Sequence, residues 1–159
     1  MKKLLPLVAA AAFVLVPSHE AQAQVGVNFG PELNYNAETE NFGLGARLEI
    51  SPPVFPVGFI VNGLYIFQDC DPIDCTALEF NASGKYTITL PASPLGPYFG
   101  AGVTHQRISF SGFDDFDDTG FHVIGGLGLG GLMPIGAFVE GRYLIMDENQ
   151  FAVSVGILF

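Results

Sequence analysis

From residue 25 onward the chain alternates apolar and polar residues in eight separate stretches, roughly 25–35, 41–51, 57–67, 76–90, 97–110, 120–132, 136–146 and 150–159. Successive side chains of a strand point to opposite faces, so period-two alternation asks for strands whose faces meet different surroundings. The first stretch sets Val25, Val27, Phe29, Leu33 and Tyr35 against Gly26, Asn28, Gly30, Glu32 and Asn34. The second opposes Phe42, Leu44, Ala46, Leu48 and Ile50 to Gly43, Gly45, Arg47 and Glu49, and the fourth opposes Leu78, Phe80, Ala82 and Tyr86 to Glu79, Asn81, Ser83 and Lys85. Each stretch has about the 9–11 residues that a tilted strand needs to cross a bilayer.

Alternation alone does not say which face is outside, since a soluble barrel has the same period with its apolar face inward. Charge decides it. Charged residues make up 14% of the chain, where a soluble domain carries about 25%. Apart from Arg107, the few that fall in strands, Glu32, Arg47, Glu49, Glu79, Lys85, Glu140 and Arg142, are of both signs and share the polar face. That pattern suits a paired interior with the apolar face toward lipid. Glycines also gather on the polar face, as a narrow interior requires. The prediction is an all-β fold, an eight-stranded antiparallel up-and-down transmembrane β-barrel.

The connections alternate in kind. Residues 51–56, 91–97 and 133–135 are proline-rich and uncharged. The other four are acidic, with Glu38 and Glu40; Asp69, Asp71 and Asp74; Asp114, Asp115, Asp117 and Asp118; then Asp147 and Glu148. An up-and-down barrel puts odd and even connections at opposite ends, so one end is capped by tight turns and the other carries the charge outside the cell. Tyr35, Phe42, Phe67, Phe80, Phe121, Tyr143 and Phe151 fall near the charged end on the apolar face, where an aromatic girdle belongs. Arg107 shares that face just above the apolar band, a place from which it reaches lipid phosphate.

Ahead of the barrel, Lys2 and Lys3 precede an apolar run from Leu4 to Val16 and the small-residue site Ala21-Gln22-Ala23. This reads as a signal peptide, residues 1–23, with residues 24–159 as the barrel domain. Cleavage removes Lys2, Lys3 and Glu20, so 6 basic and 16 acidic residues become 4 and 15, a net charge of −11. Such a balance disfavours nucleic acid. Cys70 and Cys75 lie close together in an exported chain, where a disulfide is expected; two thiols alone leave a zinc shell incomplete.

The last nine residues, FAVSVGILF, alternate apolar positions and end on an aromatic; PYFGAGV (97–103) and VEGRY (139–143) complete the pattern. They resemble the small OmpA/OmpX-like outer-membrane barrels. The resemblance implies the cell outer membrane as location, and a signal read by the barrel-assembly machinery on Val155, Ile157 and Phe159.

Several constellations remain. The interior charges make either a salt-bridged plug or a polar pathway; a narrow lumen demands paired charges and favours the plug. The acidic run from Asp114 to Asp118 is a solvated loop or a weak site for divalent cations, since it lacks the spacing of a dedicated calcium loop. Ser83, Ser154, His122 and Glu140 share the lumen face, yet no known catalytic pattern appears. The expectation is a non-enzymatic monomer without a cofactor, serving envelope integrity or surface adhesion. Its partners are outer-membrane lipid including lipopolysaccharide, the assembly machinery, and divalent cations at the loops. A narrow porin-like channel is the alternative, and a lipid-modifying enzyme a further one.

Overall fold

The computed structural model describes residues 25–53, 55–68, 75–91, 93–110, 114–130 and 135–159. Eight strands run through them: β1 (Gly26–Asn36), β2 (Asn41–Ser51), β3 (Val57–Phe67), β4 (Cys75–Thr87), β5 (Leu95–Phe110), β6 (Phe116–Leu129), β7 (Gly136–Ile145) and β8 (Gln150–Leu158). Each pairs antiparallel with the next and β8 closes on β1, giving a closed barrel in chain order. Closure satisfies every strand edge, the condition for a sheet to stand in lipid. The expected signal peptide (residues 1–23), Cys70 and the acids Asp69, Asp71 and Asp74 lie outside the described residues.

The seam shows how the ends meet. Glu32 to Asn36 of β1 pair with Gly156 to Ala152 of β8, and Phe29 and Phe159 exchange two backbone hydrogen bonds of 3.2 and 2.9 Å in the same register. Pro31 stands between these two segments and has no N–H to give the ladder. At the opposite end the β1–β2 turn is held by Asn36, whose Oδ1 accepts from the backbone N–H of Glu38 (3.1 Å) and Thr39 (3.2 Å). Glu40 completes it in the left-handed region at φ 54°.

The two faces follow the alternation in the sequence. Phe29, Leu33, Tyr35, Phe42, Leu44 and Leu48 are exposed on the outside, while Glu32, Asn34, Arg47 and Glu49 are buried inside. An apolar exterior over a polar interior is a soluble barrel turned inside out, the arrangement of a barrel that spans a membrane. The exterior carries two aromatic bands rather than the one expected. Besides the girdle at the acidic end, Phe29, Phe59, Tyr86, Phe99 and Phe159 are exposed toward the turn end, with Phe29 against Phe159 and Tyr86 against Phe99 at ring separations of 6.4 and 5.6 Å.

One boundary differs in a way that matters. The expected loop holding Asp114, Asp115, Asp117 and Asp118 is shorter than predicted, because β6 begins at Phe116 and pairs with β5 as far as Ile108↔Phe116. Asp117 and Asp118 are therefore strand residues. A strand that continues past the membrane into water tolerates charge, so composition hides it.

Candidate functional site

The interior is built by inward positions of all eight strands, and it brings together the seven charges singled out from sequence. Arg47 on β2 pairs with Glu49 (2.8 Å) and, across the lumen, with Glu140 on β7 (2.9 Å). Arg142 pairs with Glu140 (2.8 Å) and with Glu79 on β4 (3.3 Å). Lys85 pairs with Glu49. Glu32 is reached by the amide of Asn62 at 2.9 Å, and Arg142 stands 3.9 Å away. Glu32, Arg47, Glu140 and Arg142 are all fully enclosed. Charges so far from water persist only when paired and hydrogen-bonded, and cross-strand ion pairs meet that demand here.

Sequence reading missed the aromatic part of this interior. The Tyr98 hydroxyl donates to Glu140 (2.9 Å) and accepts from Arg47 (3.2 Å). The Phe138 ring lies 4.0 Å from the Arg47 guanidinium, and Lys85 Nζ is 5.0 Å from the Tyr98 ring, both cation–π contacts. Tyr98 also packs with Ile60 and Ile124. Its place depends on glycine: a Cβ at Gly126 would stand 2.5 Å from Tyr98 Cζ and 2.6 Å from the Val139 carbonyl oxygen. The available signal was the parity of Tyr98 and Phe138, which puts both on the polar face among the glycines.

A second buried set runs Ser83, His122, Thr104, Asn81. Thr104 gives its proton to Asn81 Oδ1 (2.6 Å), so it accepts from His122 Nδ1 (2.7 Å), and His122 Nε2 then faces the Ser83 hydroxyl at 2.7 Å. Asn81 donates onward to Glu79 (2.8 Å). Ser154 is held elsewhere, by Asn34 at 2.9 Å, and Glu140 by the arginines. The four residues that share the lumen face thus do not form one constellation. Ser83 and His122 are buried and line neither of the two end cavities described next.

Cavities of about 400 and 410 Å³ open at the two ends. The one at the turn end is lined by Glu49, Lys85, Tyr98 and Phe138, and the one at the acidic end by Glu79, Gln106, Asp118, Asp147 and Glu148. They share no residue. Between them runs an unbroken series of polar contacts: Gln106 donates to Glu79 (2.9 Å), and Arg142, Glu140, Arg47, Glu49 and Lys85 follow in turn.

On the outside, Arg107 does face outward, but its guanidinium is taken by Asp115 and approached by Asp117 at 3.8 Å. The guanidinium expected to meet lipid phosphate thus has carboxylate partners from the β5–β6 connection and from β6 itself. The hydrogen bond from Arg107, with one from Ser109, holds the Asp115 carboxyl below the usual carboxylate range. His105 pairs with the Thr119 hydroxyl at 2.8 Å. Among the described residues no group of three or more His, Cys, Asp or Glu side chains is arranged to hold a metal ion. At the chain's end Val155, Ile157 and Phe159 are exposed on the lipid side, while Leu158 is buried in the lumen.

Among solved structures, the chain is similar to the N-terminal β-barrel domain of Pseudomonas aeruginosa OprF, with 16% identity and a TM-score of 0.67 over 87% of this chain and 98% of that one. It is also similar to Neisserial surface protein A (18%, 0.57, 84% and 94%) and to Ail, the attachment invasion locus protein of Yersinia pestis (13%, 0.63, 86% and 97%). No family model and no curated protein sequence matches it. The chain has the fold of the small eight-stranded outer-membrane β-barrels.

Proposed function

We propose that this protein is an outer-membrane β-barrel closed by its own side chains, which presents an acidic surface outside the cell and serves envelope integrity or attachment rather than solute flow or catalysis. The observation that carries this reading is the unbroken ion-pair series between the two end cavities. A lumen of eight strands is only wide enough for side chains, and a solute would have to displace charges that are paired across it. The refolded protein in a planar bilayer therefore gives no stable unitary conductance, while Glu140→Gln or Arg142→Gln produces brief openings by unpairing the interior. Steady conductance from the unmodified protein would make it a narrow pore.

The charge at the outer end supports a choice of partner. Ail is known in complex with the heparin analogue sucrose octasulfate, a polyanion. The outer end of this chain, with Glu38, Glu40, Asp114, Asp118, Asp147 and Glu148, repels such a ligand and suits cationic ones. Divalent cations bridging these carboxylates to lipopolysaccharide phosphates fit both the charge and the place. Thermal stability in anionic-lipid micelles rises with millimolar calcium, and rises less once Asp114, Asp115, Asp117 and Asp118 are all asparagine. A calcium response unchanged by that substitution means the acids are merely solvated.

Export and maturation complete the reading. Residues 1–23 act as a cleaved signal, leaving a chain from Gln24 to Phe159. Cys70 and Cys75 close a short disulfide loop at the outer end, and Val155, Ile157 and Phe159 present the finished strand to the assembly machinery. The mature barrel is a monomer.

A further inference from the structure

Toward the acidic end the inner face of the barrel carries an apolar row. Ile66 of β3 pairs with Ala77 of β4, Ala77 with Ile108 of β5, and Ile108 with Phe116 of β6. Phe116 has the parity of the buried His122, so lipid does not cover its ring, yet it is 52% exposed. All four residues line the 410 Å³ cavity at the acidic end. One row further in, Glu79 pairs with Gln106 and Gln106 with Asp118. The β1–β2 turn and the β7–β8 connection bring Thr39, Asp147 and Glu148 to the same cavity. It therefore has an apolar side and a polar side on which every charged group is a carboxylate. The chain has no lysine or arginine left to answer them. Beyond residue 23 there are four, Arg47, Lys85, Arg107 and Arg142; three are paired in the lumen, and Arg107 is paired with Asp115 on the outer face. The side chains of Asp118, Asp147 and Glu148 make no ion pair or hydrogen bond among the described residues.

We propose that this cavity binds a small amphipathic organic cation, an ammonium or guanidinium group on an apolar body, with the body against Phe116, Ile108 and Ile66 and the charge toward Asp118, Asp147 and Glu148. Two independent observations carry it. An apolar surface outside lipid marks a place where a partner sits, and carboxylates without a cation from their own chain attract one from solution. The volume of 410 Å³ falls among small-molecule sites, which span about 300–1,000 Å³. The Phe116 ring also offers a face to which a cation is drawn. A bare metal ion meets the carboxylates alone and leaves the apolar row in water. An uncharged apolar molecule covers the row and leaves the carboxylates unanswered. The proposal takes from the reading above only that this end faces outside the cell, and it holds whether or not the lumen conducts.

The test uses the refolded barrel in nanodiscs of zwitterionic lipid, with its isoleucine methyl groups labelled for NMR. Phenethylammonium shifts the Ile66 and Ile108 methyl resonances saturably and leaves Ile60, deeper in the lumen, unmoved. Phenethyl alcohol, the same body without the charge, and methylammonium, the charge without the body, each bind roughly tenfold more weakly or worse. Phe116→Ser weakens phenethylammonium binding by roughly tenfold. Asp147→Asn combined with Glu148→Gln weakens it as well and alters no strand, so a Phe116 variant that fails to fold leaves the test standing. Methylammonium binding as tightly as phenethylammonium overturns the proposal in favour of a solvated acidic rim. Phenethyl alcohol binding as tightly overturns it in favour of a plain apolar pocket, and shifts that never saturate overturn it outright. Conductance and the calcium response test the earlier reading by separate measurements, so either can fail while this site stands.

Discussion

Replacing Arg142 by methionine lowers the unfolding free energy of the refolded barrel by about 3–5 kcal/mol, the cost of stripping a buried carboxylate of its partner. Arg142 serves three acids: Glu140 at 2.8 Å, Glu79 at 3.3 Å and Glu32 at 3.9 Å. Methionine fills much of the same space, so the loss reads the charge rather than a cavity. Removing the cation leaves four interior carboxylates, Glu32, Glu49, Glu79 and Glu140, against Arg47 and Lys85. Urea titration in micelles, followed by the shift in gel migration between folded and unfolded barrel, measures the effect. The control is Arg107→Met. Arg107 pairs with Asp115 and Asp117 in full contact with solvent, where ion pairs contribute little, and its midpoint stays close to the unmodified one. An Arg142→Met midpoint equally close would mean the interior charges are hydrated by an open lumen rather than paired.

Deleting Phe159 reduces the amount of protein in the outer membrane far more than Leu158→Ala does. Phe159 is the last rung of the seam. It exchanges two backbone hydrogen bonds with Phe29 and sets its ring 6.4 Å from the Phe29 ring on the lipid face. In hydrocarbon no water replaces a lost backbone partner, so an unclosed seam costs several kcal/mol. Leu158 points into the lumen, and trimming it costs only packing. Outer-membrane fractions probed for the chain distinguish the two, and refolding of the purified variants separates a weaker seam from a lost assembly signal. If the Phe159 deletion refolds as well as the full chain yet fails to accumulate in cells, the residue acts chiefly as a signal. Equal levels of the two variants would contradict the outward placement of Phe159 as the reason for its effect.

Much of the fold was legible because a membrane barrel states its geometry at every second residue. The parity that puts Leu158 inside and Phe159 outside, or Glu79 inside and Phe80 outside, is a local property of the chain, and lipid on one side with a packed lumen on the other leaves little freedom to violate it. The same parity located all seven interior charges. It failed where the strand leaves the membrane. Asp117 and Asp118 alternate in β6 as Phe121 and His122 do, but water surrounds that stretch, so charge no longer marks its end. Arg107 shows a related limit. Its direction follows from parity, but its partner does not, because Asp115 and Asp117 come from across the β5–β6 connection.

Parity also says which residues share the lumen without saying which touch. The alternation of faces, the alternation of turn and loop, and the sign of the outer surface were determined by the sequence alone, since each is set within one strand or one connection. Which carboxylate meets which guanidinium was decided by tertiary structure. Arg47 meets Glu140 from the far wall as closely as it meets Glu49 two residues along its own strand. His122 finds Ser83 and Thr104 rather than Ser154, and Tyr98 wedges between Arg47 and Glu140 only because Gly126 leaves it room. These contacts depend on the register of eight strands and on the diameter at which they close, quantities that belong to the whole barrel and are written in no single strand.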